Sequence, residues 1–207
     1  MTQSETEESI RTGTAGAILE AAKQVLLEVG YARFSTRTIA DRAGVPLSQI
    51  HYHFGSKQKL VLAVLEVENQ RLLDRQERMF ESKIPIWMQW ERACDFLEED
   101  LASGYVRVLH EMIAAGWSDP EIAGAVWAQL KGWQAILTSV ARRAEDELGT
   151  LGPFTPSEVG ALAGLPFIGA EACILLGVSE SDIPARSALW KVGQVIRALE
   201  EAAPDAS

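Results

Sequence analysis

Along the chain, apolar residues recur at three- and four-residue spacing in nearly every long segment, and no run alternates as a half-buried strand does. The pattern predicts an all-α protein. Over residues 14–29, Ile18, Ala21, Ala22, Val25, Leu26 and Val29 form one apolar stripe, and Gly30 supplies a stop. A short helix is expected over residues 36–43, with Ser35 placed to cap its free N–H groups and Gly44 to break it. After the turn Gly44-Val45-Pro46, a third helix of about seven residues runs from Leu47 to His53. Phe54-Gly55-Ser56 ends it and opens a long fourth helix near Lys57, whose buried face is Leu60, Val61, Val64, Leu65, Val67 and Leu72.

Pro85, Gly104 and residues 116–120 punctuate the middle of the chain, predicting helices over residues 86–102, 105–115 and 120–148. The longest keeps a seam of Ile122, Val126, Leu130, Trp133, Leu137, Val140 and Ala144. Thr155-Pro156-Ser157-Glu158 has the form of a helix start, with a cap, a proline in the first turn and an acid near the positive end of the dipole. The last two helices are expected over residues 157–176 and 184–202. Residues 159–178, twenty with the single charge Glu171, have the length of a membrane span. The acid, Pro166 near the centre and flanks without a Lys/Arg bias favour a buried helix, core or interface, instead.

Composition narrows the class. With 207 residues, 47% hydrophobic and 23% charged, the chain suits a soluble globular protein with a sizeable core. Its two cysteines, Cys94 and Cys173, are too few for a disulfide framework and too far apart for a zinc site, which points to a reducing compartment; the polar, acidic N-terminus resembles no secretory signal. The cytoplasm is the expected address. The expected organisation is a disordered acidic N-terminus (1–13), a three-helix domain (14–60), a larger helical domain (61–203) and a disordered tail (204–207).

A net charge of −10 argues at first against a nucleic-acid partner, but the charge is divided. Residues 11–59 hold seven basic groups (Arg11, Lys23, Arg33, Arg37, Arg42, Lys57, Lys59) against three acidic ones; from Val61 onward there are 12 basic against 23 acidic. The division suggests an N-terminal piece facing a polyanion and an acidic piece with another task. Within the basic piece, two short helices joined by a tight turn must cross closely. That calls for a small residue in the first and positive φ at the turn, which Ala40 and Gly44 provide. Ile39, Ala43, Val45 and Ile50 then face inward. Leu47, Ser48, Gln49, His51 and Tyr52 face outward on a helix that fits a major groove.

The pattern Gly30-Tyr31, Ser35 before Thr36-Arg37, Ile39-Ala40, Ala43-Gly44-Val45, Ile50-His51-Tyr52-His53-Phe54 and Ser56-Lys57 resembles the DNA-binding domain of the TetR family of bacterial one-component regulators. The resemblance covers about residues 14–62; beyond them it is one of length, helical content and two final helices suited to dimerisation. It implies a homodimeric regulator, by family default a repressor, that binds a double-stranded DNA operator and answers to a small ligand. It also implies that Ser35, Thr36 and Arg37 stand where the family meets phosphates, that Leu47, Ser48 and Gln49 read bases, and that His51, Tyr52, His53 and Lys57 lie near the backbone. Gln49 suits adenine and Leu47 a thymine methyl. Leu47 and Ser48 replace the basic residue and glycine that many members carry, and Glu5, Glu7 and Glu8 stand where some members have a basic arm. Both departures predict moderate, salt-dependent affinity.

Other chemistry finds less support. His51 and His53 project about 200° apart on a helix and cannot share one ion. His110-Glu111 lacks the rest of a zinc-protease pattern, and no cofactor motif is present. Tyr52 suits the DNA side and Phe54 the core. Glu98-Glu99-Asp100 reads as a solvated helix face, and Cys94 and Cys173 as apolar fillers. Five of six tryptophans (Trp87, Trp90, Trp117, Trp127, Trp133) lie between residues 87 and 133. With the family's ligand-binding habit they suggest an effector pocket of Trp90, Cys94, His110, Trp133 and Phe167. The acidic composition favours a neutral or cationic, apolar effector. Gly160, Ala161, Ala163, Gly164, Gly169 and Ala170, with Leu189, Val192, Val195, Ile196 and Leu199, suit a two-fold interface through the last two helices, the alternative being packing within one chain. A helical enzyme without a DNA role is the rival reading; it lacks an identifiable nucleophile–base pair.

Overall fold

The computed structural model describes residues 13–202, and among them the chain forms nine helices and no strand. The expected disordered segments, with Arg11 and the three N-terminal glutamates, lie outside the described residues save Gly13, which opens the first helix. The helices are α1 (Gly13–Arg33), α2 (Thr36–Ala43), α3 (Leu47–Phe54), α4 (Lys57–Phe80), α5 (Ile86–Ser103), α6 (Tyr105–Gly116), α7 (Pro120–Leu148), α8 (Pro156–Leu175) and α9 (Ala185–Ala202). Every boundary falls within a few residues of the expected one because glycine and proline punctuate the chain so clearly. At Gly30 the backbone leaves the helix (φ 74°, ψ 174°), and one further turn to Arg33 completes α1.

Two compact units share the chain: Met1–Gln70 with Ser103–Val126, and Arg71–Ala102 with Trp127–Ser207. In the first, α1 packs on α2, α3 and α6. Its core includes Ile18, Ala22, Val25, Leu26, Phe34, Ile39, Ile50, Leu60, Val61, Leu65, Val106 and Met112, all buried. In the second, Cys94, Leu97, Phe167, Ala170 and Leu189 form a buried cluster, with Trp90 and Trp133 against it.

The small residues of α8 divide between two roles. A Cβ at Gly160 would meet the Thr138 nitrogen at 3.0 Å, and one at Gly164 would meet Leu137 and Trp133 at 2.9 and 3.2 Å, so these glycines seat α8 on α7 within the chain. Gly169, by contrast, opens onto free space. The helix start at Thr155 is a full capping box, with Glu158 and Thr155 bonding each other's backbone N–H. By length and composition α8 could cross a membrane, yet only 22% of its apolar window is buried within the chain. Of the two places expected for this helix, core and interface, the core of the chain takes one side of α8 only, and Leu162 and Leu165 are exposed.

Candidate nucleic-acid interface

The turn between α2 and α3 is built on one left-handed residue. Gly44 (φ 66°, ψ 32°) caps α2, its N–H reaching Asp41 O at 3.3 Å, while the Val45 N–H bonds Ala40 O at 3.0 Å. Ile39, Ala40 and Ile50 are buried beside this crossing, and Ala43 and Val45 are half-buried. That arrangement leaves Leu47, Ser48, His51, Tyr52 and His53 exposed and Gln49 half-buried; Tyr52 is 81% exposed. Phe54 is half-buried under the ridge. Ser35 precedes α2 as its N-cap but makes no side-chain cap bond. Its contribution is the carbonyl, which accepts from the Ile39 N–H at 3.1 Å.

The structure sorts the basic residues more sharply than a count does. Arg42 forms a bidentate pair with Glu28 at 2.7 and 2.8 Å, and the bond from the guanidinium holds the Glu28 carboxyl below the usual carboxylate range. Lys23 pairs with Glu68 at 2.9 Å. Lys57 donates to the Tyr31 carbonyl at 3.2 Å and lies over the Tyr31 ring, which ties α4 to the end of α1; two of its three N–H groups stay available. Arg37 and Lys59 are exposed, with no ion pair among the described residues. Lys59 is thus a phosphate-contact candidate that the spacing argument passed over, while Lys23 and Arg42 are spent within the unit.

The end of α1 is held from a second side. The Tyr31 N–H donates to the Glu111 carboxylate of α6, and Arg107 of α6 donates to the Leu27 carbonyl. A Cβ at Gly30 would lie 2.5 Å from Glu111 Oε1, so any other residue there would push that carboxylate aside. Gln58, near the start of α4, donates to Asp119 and Glu121, both at 3.1 Å. Side chains from α6, α7 and the turn between them therefore grip the elements that carry α2 and α3.

A family model described as bacterial regulatory proteins, tetR family, matches residues 18–64, the segment that builds this ridge. Residues 18–64 carry a DNA-binding domain of the TetR type. It is similar to the HTH-type transcriptional regulator UidR of Escherichia coli (strain K12), 27% identical over 180 residues, which is 87% of this chain and 88% of UidR. Among solved structures it resembles a TetR transcription regulator from Haloarcula marismortui, with a TM-score of 0.71, 21% identity and coverage of 92% of this chain and 97% of that one. It also resembles a regulator from Saccharomonospora viridis in complex with choline, with a TM-score of 0.69, 19% identity and coverage of 90% and 95%. TetR-family members are DNA-binding transcriptional regulators, not enzymes.

Beyond that segment, four of the five effector-pocket candidates come together. The Trp90 and Phe167 rings are 5.3 Å apart, those of Trp133 and Phe167 are 6.2 Å apart and edge-on, and Cys94 is buried in the same cluster. The Trp90 indole donates to Leu189 O at 2.7 Å, which fixes its ring. His110 is on α6, in the first unit. Trp117 and Trp127, counted with the aromatic group, are 84% and 63% exposed. A cleft of about 530 Å³ in the second unit is lined instead by Ile84, Pro85, Trp87, Arg143, Glu147 and Glu200, among others. Hydrogen bonds tie its wall together: the buried Gln89 donates to Ser82 O and Ile84 O and accepts from Arg143, while Glu200 accepts from the first two N–H groups of α5. No group of three or more His, Cys, Asp or Glu side chains able to hold a metal exists among the described residues.

Burial pushes the Cys94 thiol up to about 12, with Asp95, Glu91 and Glu98 adding to the shift. Cys94 is therefore expected to resist alkylation at pH 8 until the protein unfolds, while the half-buried Cys173 reacts in the folded state. Mass spectrometry of tryptic peptides after timed iodoacetamide treatment reads both sites, and equal labelling would contradict the packing of the aromatic cluster.

Proposed function

We propose that the chain is a cytoplasmic, homodimeric repressor that binds a palindromic operator and is released by a small, largely apolar effector, neutral or cationic. Residues 14–60 bind DNA, and residues 61–203 bind the effector and dimerise. The single observation behind the DNA role is the exposed ridge of α3, carried on a buried Ile39–Ile50 crossing inside the segment that matches the family model. Thr36, Arg37, Lys57 and Lys59 serve the phosphates, and Leu47, Ser48 and Gln49 serve the bases. The exposed apolar side of α8 and α9 favours a second copy as its cover, because two-fold pairing lets two recognition helices read paired half-sites. The aromatic cluster around Phe167 and the acidic composition support an apolar or cationic effector, in keeping with the choline bound to the S. viridis protein. Such a ligand acts only through its differential affinity for the DNA-bound and released arrangements of the pair.

Selection from a randomised duplex pool should return a palindrome whose half-sites are about one helical turn apart. Gln49→Ala should then cost roughly 1–3 kcal/mol of binding per contacted base and flatten one position in each half-site. A pool that yields no consensus for a folded dimer at low ionic strength would overturn the reading, and an unchanged consensus would remove Gln49 from the reading surface.

A further inference from the structure

A ring nitrogen that faces a carbonyl oxygen bonds to it only by donating. On α3, His51 Nδ1 lies 3.2 Å from the carbonyl oxygen of Gly55, so the neutral imidazole carries its proton on Nδ1 and leaves Nε2 bare, an acceptor. The carbonyl is itself held in place. Gly55 ends α3 at φ 76°, ψ −56°, and its N–H returns to the His51 carbonyl at 3.0 Å. His51 and Gly55 are therefore tied twice, through the backbone and through the ring. The ring is exposed on the outward side of the helix, beside Leu47, Ser48 and Tyr52.

We infer that His51, which the resemblance places near the DNA backbone, is instead a specificity-determining residue whose Nε2 accepts a hydrogen bond from the exocyclic amino group of a base in the major groove. The inference rests on the DNA-binding reading above and adds the chemistry of one contact to it. On the major-groove edge, amino donors belong only to adenine and cytosine, whereas guanine and thymine offer acceptors that repel a bare Nε2. With its tautomer fixed, His51 separates amino from keto bases on the strand it touches. His53, two residues along, projects about 200° away around the helix, and its ring makes no bond to a carbonyl among the described residues.

The test compares the full chain with His51→Phe and His51→Gln in selections from a randomised duplex pool at pH 8, above the range in which imidazoles titrate. Phenylalanine keeps a ring without nitrogens, and glutamine returns an amide acceptor at similar reach. The wild-type protein should favour adenine or cytosine over guanine or thymine by about two- to tenfold at one position per half-site. His51→Phe should flatten that position alone, and His51→Gln should restore a preference for adenine there. Nitrogen-15 NMR of the free wild-type protein should show Nδ1 protonated and Nε2 bare. Unaltered preferences in His51→Phe, a keto base favoured at the His51 position, or a proton found on Nε2 would each overturn the inference. A wild-type protein that selects no sequence would overturn the DNA-binding reading along with it, so the two failures are told apart.

Discussion

Leu165→Asp or Val195→Asp is expected to convert the proposed dimer to a folded monomer and to cut operator affinity by orders of magnitude. Leu165 is 65% and Val195 61% exposed within one chain, so neither supports the fold of the subunit that carries it. Leu162, Leu176 and Leu199 are exposed with them, a set of apolar positions on and beside the two final helices, which pack on each other. Covering one leucine or valine contributes about 1.5–3 kcal/mol. Two-fold symmetry applies each substitution twice, for about 3–6 kcal/mol before the cost of burying a carboxylate. The dimer dissociation constant should rise by about two to four orders of magnitude. Light scattering across a concentration series reads that change, and a monomer should lose the cooperative occupation of paired half-sites. The unfolding midpoint of the dissociated chain should match that of wild-type protein diluted below its own dissociation constant. An unchanged dimer would place the interface elsewhere and leave the exposed face of α8 without a partner.

The elements were legible where one residue decides the backbone. Gly44, Gly55 and Gly104 all take positive φ at the helix ends that the sequence marks, and the α2–α3 crossing comes from Ala40, Gly44 and Ile50 with little room for another answer. Side-chain allegiance across long separations was not legible. Nothing in the spacing tells that Arg42 answers Glu28, or that Lys23 answers Glu68, so a basic stretch read as a phosphate face is in part an internal ion-pair set. The glycines of α8 show the same limit. Smallness signals close approach, but Gly160 and Gly164 approach α7 of their own chain while Gly169 does not. The seam expected along α7 is buried at Ile122 and Val126. Beyond them the buried positions include Gln129, Ile136 and Ala141, a shifted face. The helix gives its first turns to one compact unit and the remainder to the other, so a single stripe cannot serve its whole length.

Gly30→Ala is expected to destabilise the protein by about 2–6 kcal/mol and to weaken operator binding through α1 and α2. Two costs combine there. At φ 74°, ψ 174° the backbone occupies a region that is essentially glycine-only, worth roughly 1–3 kcal/mol of strain for any other residue. The added methyl would also displace the Glu111 carboxylate and strip the Tyr31 N–H of its acceptor, for about 1–3 kcal/mol more. For a chain of this length the combined loss is a fall in melting temperature of roughly 4–24 °C. A cycle with Glu111→Ala separates the two costs. That substitution alone leaves the Tyr31 N–H unbonded; joined to Gly30→Ala it removes the clash and keeps the strain, so the double variant should be less destabilised than the sum of the singles. Additive losses would mean that the carboxylate moves aside freely and that α6 grips α1 without it. If the cycle couples as expected, loosening of α6 should reach the reading helices through Tyr31, whose carbonyl anchors Lys57 at the head of α4. Operator affinity of Glu111→Ala should then fall even though Glu111 belongs to α6, outside the α2–α3 reading surface, and wild-type affinity in that variant would confine the Glu111 contact to stability alone.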